Sequence, residues 1–142
     1  MKRQQICIVD GQGGGIGANL IKYLREFHAE RYELLALGTN VIATSQMMKA
    51  GANRGASGEN AVIHTVARAD LIIATIAVTW ANAMLGEVTP AMAAAITSSP
   101  APKILLPLFH ENITLVCVGT DPLPHMVKTI VEEKIMEVLP HV

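Results

Sequence analysis

The sequence predicts an α/β fold of the Rossmann-like kind, a doubly wound and mostly parallel sheet with helices on both faces, in one domain over residues 1–142. Three observations predict it. Short apolar, β-branched runs alternate along the chain with segments whose apolar residues recur at helical spacing, the pattern of a parallel sheet covered by helices. A glycine-rich stretch, VDGQGGGIG at 9–17, joins the first such run to the first such segment. Hydrophobic residues make up 51% of the 142, with no long polar tract, which suffices for one core and leaves no room for a second domain.

Residues 5–10, QICIVD, read as the first strand. Ile16, Leu20, Leu24 and Phe27 then recur near helical spacing, so a helix runs to about His28. YELLALG at 32–38 is the second strand. VIATSQMMKAG at 41–51 is a helix with Asn40 as its N-cap and Gly51 closing it. ANRGAS forms a very short third strand, and ENAVIHTVAR at 59–68 returns to helix. DLIIATIAV at 70–78 is almost wholly apolar, as expected of a strand buried on both faces at the centre of the sheet. Thr89 and Pro90 pair a cap with a first-turn proline ahead of a helix, AMAAAITSS. KILLPL at 103–108 is a further buried strand, and ITLVCVG at 113–119 is expected to pair with it as an antiparallel edge strand. Asp121 and Pro122 open a last helix with an apolar stripe at Leu123, Met126, Val127, Ile130, Val131, Ile135 and Val138.

Eleven Lys and Arg against twelve Asp and Glu give a net charge of −1, with no basic cluster beyond Lys2 and Arg3. That balance argues against a nucleic-acid or anionic-membrane surface and for a small molecule, or another copy of the chain, as the partner. The ICIV run is too short for a signal-peptide core or a membrane span, so a cytoplasmic location is expected. Cys7 and Cys117 both fall in apolar, β-rich runs and are expected as buried, reduced thiols. Asn112-Ile113-Thr114 matches a glycosylation sequon that carries no weight in a cytoplasmic protein. His28, His64, His125 and His141 lack metal-ligand spacing, and no metal site is expected.

The glycine loop raises the functional question. A chain that leaves a first parallel strand must turn sharply, let a ligand's phosphate approach its backbone, and start a helix whose free N–H groups face that anion. Each demand favours glycine. Gly13, Gly15 and Ala18 fit G-x-G-x-x-A, while Gly11, Gly15 and Gly17 fit G-x-x-x-G-x-G. The alternative is a corner with a purely structural purpose. A lysine-containing P-loop is excluded, because Ile16 stands five residues after Gly11 and no Gly-Lys-Ser/Thr occurs.

With the flanking GGIGANLIKYL, the second spacing resembles the cofactor loop of short-chain dehydrogenases over the first strand, loop and helix. The likeness stops there. Tyr23 is followed at the catalytic spacing by Phe27, and Tyr32 by Ala36, so the Tyr-x-x-x-Lys pair is missing. The second strand ends in Gly38, Thr39 and Asn40 in place of the acidic residue that would hold an adenosine ribose. IVDGQGGGIG, LALGTN, KAGANRGASGENAV, ANAMLGEVTPAM and KILLPL together resemble, over nearly the whole chain, a small bacterial family catalogued as domain of unknown function 3842. That resemblance implies a Rossmann-like fold and brings no reaction or substrate.

Ligands of a doubly wound sheet bind beyond the carboxyl ends of its strands. The expected cofactor-binding set is therefore Gly11, Gln12, Gly13, Gly14, Gly15, Ile16 and Gly17 after the first strand, Thr39 and Asn40 after the second, and Ser57, Glu59 and Asn60 after the third. Asp10, Thr79, Asn82, Glu87 and His110 lie near the same edge. Each has a structural alternative. Asn40 and Ser57 serve equally well as helix caps, Asp10 as an acceptor that orients the loop, and Glu59 as a complement to a helix dipole. VTWANAML at 78–85 holds the only tryptophan, and Trp80 and Met84 either pack on their own sheet or lie in the contact of a homodimer.

The leading expectation is thus a cytoplasmic domain that binds a nucleotide, NAD(P) among the options, or another phosphate-bearing small molecule at the glycine loop. One alternative is a small oxidoreductase or transferase with its site at an oligomer interface, drawing on Glu59, His110 or Asn82. The other is a non-enzymatic oligomer whose loop is only a turn. If the site takes a dinucleotide, the neutral Thr39-Asn40 pair predicts NAD and NADP affinities within about one order of magnitude.

Overall fold

A computed structural model describes residues 2–139. Five strands form one sheet: β1 (Gln5–Asp10), β2 (Glu33–Gly38), β3 (Arg54–Ser57), β4 (Leu71–Thr75) and β5 (Lys103–Leu106), in the spatial order β3-β2-β1-β4-β5. All four pairings are parallel. The chain winds outward from β1 to β3, returns to lay β4 on the other side of β1, and so creates a switch point between β1 and β4. The centre of the sheet is therefore β1, with β4 beside it.

Alternation along β1 divides the core in two. Ile6 and Ile8 pack on one face with Leu20, Ile21 and Leu24 of helix α1 (Gly15–His28) and Met47 of α2 (Val41–Lys49). Cys7 and Val9 pack on the other with Val62 and Val66 of α3 (Glu59–Val66) and Met92 and Ile96 of α4 (Pro90–Ser98). Side chains from successive positions of a strand point to opposite faces, so a strand covered on both sides must be apolar throughout. The expected caps are present: Asn40 Oδ1 accepts from the Ala43 N–H at 2.9 Å, and Thr89 Oγ1 accepts from Met92 N–H at 3.1 Å ahead of Pro90.

Four expectations are corrected, besides the central place expected for the 70–78 run, which β1 takes. ITLVCVG at 113–119 forms no strand, and the sheet ends at β5 with no antiparallel edge. β-branched residues favour strands only where a sheet face and a neighbour receive them, and this run lies largely exposed. Cys117, carried on it, is exposed, while Cys7 is buried as expected. The buried run at 70–78 stops being a strand at Thr75 and tightens into a 3₁₀ turn over Ile76–Thr79, where Thr79 Oγ1 donates to the Ile76 carbonyl at 2.7 Å. The last helix begins at Leu123: α5 (Leu123–Thr129) passes through a π-helical turn at Ile130–Lys134 into α6 (Ile135–Val138). His28 Nε2 donates to the Val131 carbonyl inside that wide turn, at 2.7 Å. Val127, Ile130, Val131 and Ile135 of the expected stripe are buried on α1. His141 lies outside the described residues.

Candidate functional site

Asp10 ends β1 and organises the glycine loop. Its Oδ1 accepts from the Gly11 N–H and its Oδ2 from the Gly17 N–H, both at 2.8 Å. Helix α1 starts after Gly14, which has no side chain to cap it, so Asp10 supplies from the strand the acceptor that an N-cap residue would otherwise provide. The carboxyl is buried, and desolvation lifts its pKa above the ordinary value. The two amide bonds pull it back and the charge of Glu87 pushes it further up.

The five loop glycines divide into two groups. Gly14 has φ +74°, and a Cβ there would lie 2.7 Å from the Ala43 backbone. A Cβ on Gly11 would meet Thr39 Oγ1 at 2.5 Å, and one on Gly17 would meet Met47 Sδ at 2.5 Å. Packing or backbone geometry therefore requires glycine at 11, 14 and 17. At Gly13 and Gly15 a Cβ would meet nothing within 4 Å, and neither residue has a left-handed φ. Among the described residues the N–H groups of Gly13, Gly15 and Ile16 have no acceptor, while those of Gly11, Gln12, Gly14 and Gly17 are all bonded.

Beside the loop opens a cleft of about 840 Å³ at the switch point. The loop residues Gly11 to Ile16 line one side, Thr75 at the end of β4 and Ala77 just after it the floor, and Leu108 to Glu111 after β5 the far side, with Asn82, Met84 and Leu85 at the rim. Thr75 is 4% exposed, and its Oγ1 is the one buried side-chain polar atom without a hydrogen-bond partner among the described residues. Phe109 is held edge-on against Trp80, with ring centroids 5.0 Å apart, and gives the cleft an aromatic wall. Trp80 thus packs within its own domain.

Glu87 comes from the segment between the 3₁₀ turn and α4 and reaches across to the tip of β2. Its Oε1 accepts from Gln12 N–H at 2.8 Å, Thr39 Oγ1 at 2.6 Å and Asn40 Nδ2 at 2.7 Å. Burial raises its pKa, but these three donors outweigh that and leave the carboxyl below its ordinary value. The segment carrying it is strained: Asn82, Met84 and Leu85 take φ of 67°, 58° and 56°, and Gly86 follows at 91°. A sequence rule that seeks the acidic residue at the end of the second strand misses Glu87, which is 47 residues beyond Asn40.

The other candidates fall partly inside the cleft and partly outside it. Thr39 and Asn40 sit behind the loop in the Glu87 contact, and Asn40 both caps α2 and donates to the Gln12 carbonyl at 3.0 Å. Ser57 Oγ is bonded to Thr44 Oγ1 at 2.6 Å, while Glu59 and Asn60 stand exposed at the start of α3, and none of the three lines the cleft. His110 lines it from an exposed turn. Gly17 lies buried beneath the loop with Asp10. No group of three or more His, Cys, Asp or Glu among the described residues is arranged to hold a metal ion, and no described helix is long and apolar enough to cross a membrane.

The family model described as "Domain of unknown function (DUF3842)" matches residues 5–139. No curated protein and no solved structure matches the chain.

Proposed function

The chain belongs to this DUF3842 family over nearly its whole length, and for it we propose a binding role, with a nucleotide or other phosphate-bearing small molecule seated in the cleft and its phosphate on the glycine loop. The observation that carries this reading is the pair Gly13 and Gly15, whose missing side chains serve no packing or backbone need within the chain. A purely structural corner accounts for Gly11, Gly14 and Gly17 and leaves those two unexplained. Side chains at 13 and 15 would stand between an incoming anion and the free amides at the N-terminus of a 14-residue helix. Thr75, whose buried hydroxyl has no partner among the described residues, lines the same cleft from the β4 side. The two free thiols, Cys7 and Cys117, suit a reducing compartment, and we place the protein in the cytoplasm.

Mass spectrometry of small molecules released from the purified protein tests the proposal, together with titration calorimetry against AMP, FMN and inorganic phosphate. A phosphate ester retained or bound supports it. Failure of all of these with folded protein refutes it. Turnover of a retained molecule would identify an enzyme. A homo-oligomer would cover Leu85, which is fully exposed next to Met84. Light scattering that gives a monomer mass at every concentration rules that assembly out.

A further inference from the structure

We propose that the site accepts a phosphate monoester bearing a single apolar or aromatic body, seated on the β4–β5 side, and that Glu87 closes the β2 side against dinucleotides. This rests on the binding role proposed above and narrows its ligand class. In a doubly wound sheet a dinucleotide straddles the switch point, with one ribose beyond the tip of the second strand. Here that place is taken. Glu87 Oε1 engages the Gln12 amide, the Thr39 hydroxyl and the Asn40 amide together. Glu87 Oε1 is thereby filled by donors from the chain itself, and Thr39 and Asn40, held against it, line no part of the cleft, so the carboxylate oxygen that could otherwise accept from a ribose is already engaged. The closure is also tight, because a Cβ added at Gly11 would come within 2.6 Å of Met84 Sδ and 3.0 Å of Glu87 Oε1.

The chain maintains this closure at a cost. Three non-glycine residues with left-handed φ in the span Asn82–Leu85 are conformations that persist only where surrounding contacts over-determine them. Those contacts are the backbone bonds of the turns, among them Asn82 N–H to the Val88 carbonyl at 2.7 Å and Gly86 N–H to the Asn82 carbonyl at 3.0 Å, together with the Glu87 bonds and Glu111 Oε1, which accepts from Met84 N–H at 3.3 Å. On the open side the free amides of Gly13, Gly15 and Ile16 face a cleft with Thr75 at its floor and Leu108, Phe109 and Leu85 around it. One end of that space suits a phosphate and the rest suits an apolar or planar group.

Calorimetry on the full chain with AMP and with NAD tests the inference, using the unmodified protein and Glu87→Ala. The expected result is AMP binding with NAD at least about tenfold weaker, and a gap reduced to about threefold or less in Glu87→Ala. NAD binding as well as AMP to the unmodified protein, or a gap unchanged in Glu87→Ala, overturns the role of Glu87 and leaves the nucleotide reading standing. Absence of binding by AMP, FMN and phosphate alike overturns that reading itself. Should Glu87→Ala fail to fold, amide exchange on the unmodified protein decides. AMP must leave the protection of the Gln12 amide intact, and its loss on AMP binding refutes the closure.

Discussion

Gly15→Val separates a ligand loop from a structural turn. Residue 15 opens α1, its φ is not left-handed, and a Cβ there meets nothing within 4 Å. Helix propensities of glycine and valine differ by only a few tenths of a kcal/mol, so the fold should lose or gain less than about 0.5 kcal/mol. Binding should suffer far more. A branched side chain over the amides of Gly15 and Ile16 denies a phosphate at least one charge-assisted hydrogen bond, about 1.5–3 kcal/mol, or roughly tenfold to a hundredfold in Kd. Gly14→Ala is the counterpart. Its φ of +74° costs an L-residue about 1–2 kcal/mol, and the Cβ placed 2.7 Å from the Ala43 backbone adds a clash that rigid atoms must absorb. Its melting temperature should fall by at least about 5 °C. Thermal unfolding and calorimetry with AMP are run on both variants. If Gly15→Val melts like Gly14→Ala and binds AMP like the parent protein, the division of the loop glycines is wrong.

Three further outcomes are expected. Thr75→Val removes a buried hydroxyl without a partner and should stabilise the ligand-free protein by about 1 kcal/mol in urea unfolding while weakening AMP binding; a loss of stability would show that Thr75 is satisfied in solution. Asp10→Asn leaves one of the Gly11 and Gly17 amides without an acceptor and should cost about 1–3 kcal/mol by the same measurement. Because the folded state lowers the pKa of Glu87, its contribution is present above the ordinary carboxylate range and is lost as the pH falls through its folded value. The stability advantage of the parent over Glu87→Gln should therefore shrink between pH 7 and about pH 3, and an advantage that grows on acidification contradicts the assigned hydrogen bonds.

Much of the fold was legible because each local signal had a local cause. The Asn40 and Pro90 helix starts, the first strand at 5–10 and the helical stripe from Val127 to Ile135 all arise from short-range patterning. Residues 113–119 were misread because β-propensity describes how a residue fits a sheet surface, and no sheet edge receives this run. The site was half legible. A glycine motif marks where a loop bends, but only the folded chain distinguishes Gly14, forced by its backbone angle, from Gly15, which is not. Glu87 was invisible as a partner of Gln12, Thr39 and Asn40 because a strained span of positive φ angles delivers it from a distant part of the chain. Asn40 carries both of its sequence readings at once, with Oδ1 capping a helix and Nδ2 in the Glu87 contact.

The central position of β1 has a consequence for how the chain assembles in time. Gln5, at its start, is bonded to Glu33, 28 residues along, and to Asp70, 65 residues along. Parallel partners so distant must wait for loop closure, which makes this a slow-folding topology by contact order. The β1–α1–β2 unit has the shorter loop to close, and docking of β4 against β1 joins the two halves of the sheet. The cleft straddles that seam, with the glycine loop on one half and Thr75 on the other. A molecule bound there would pin the halves together, so occupancy should retard unfolding and protect the apolar ICIV run from exposure, in addition to any chemistry it undergoes.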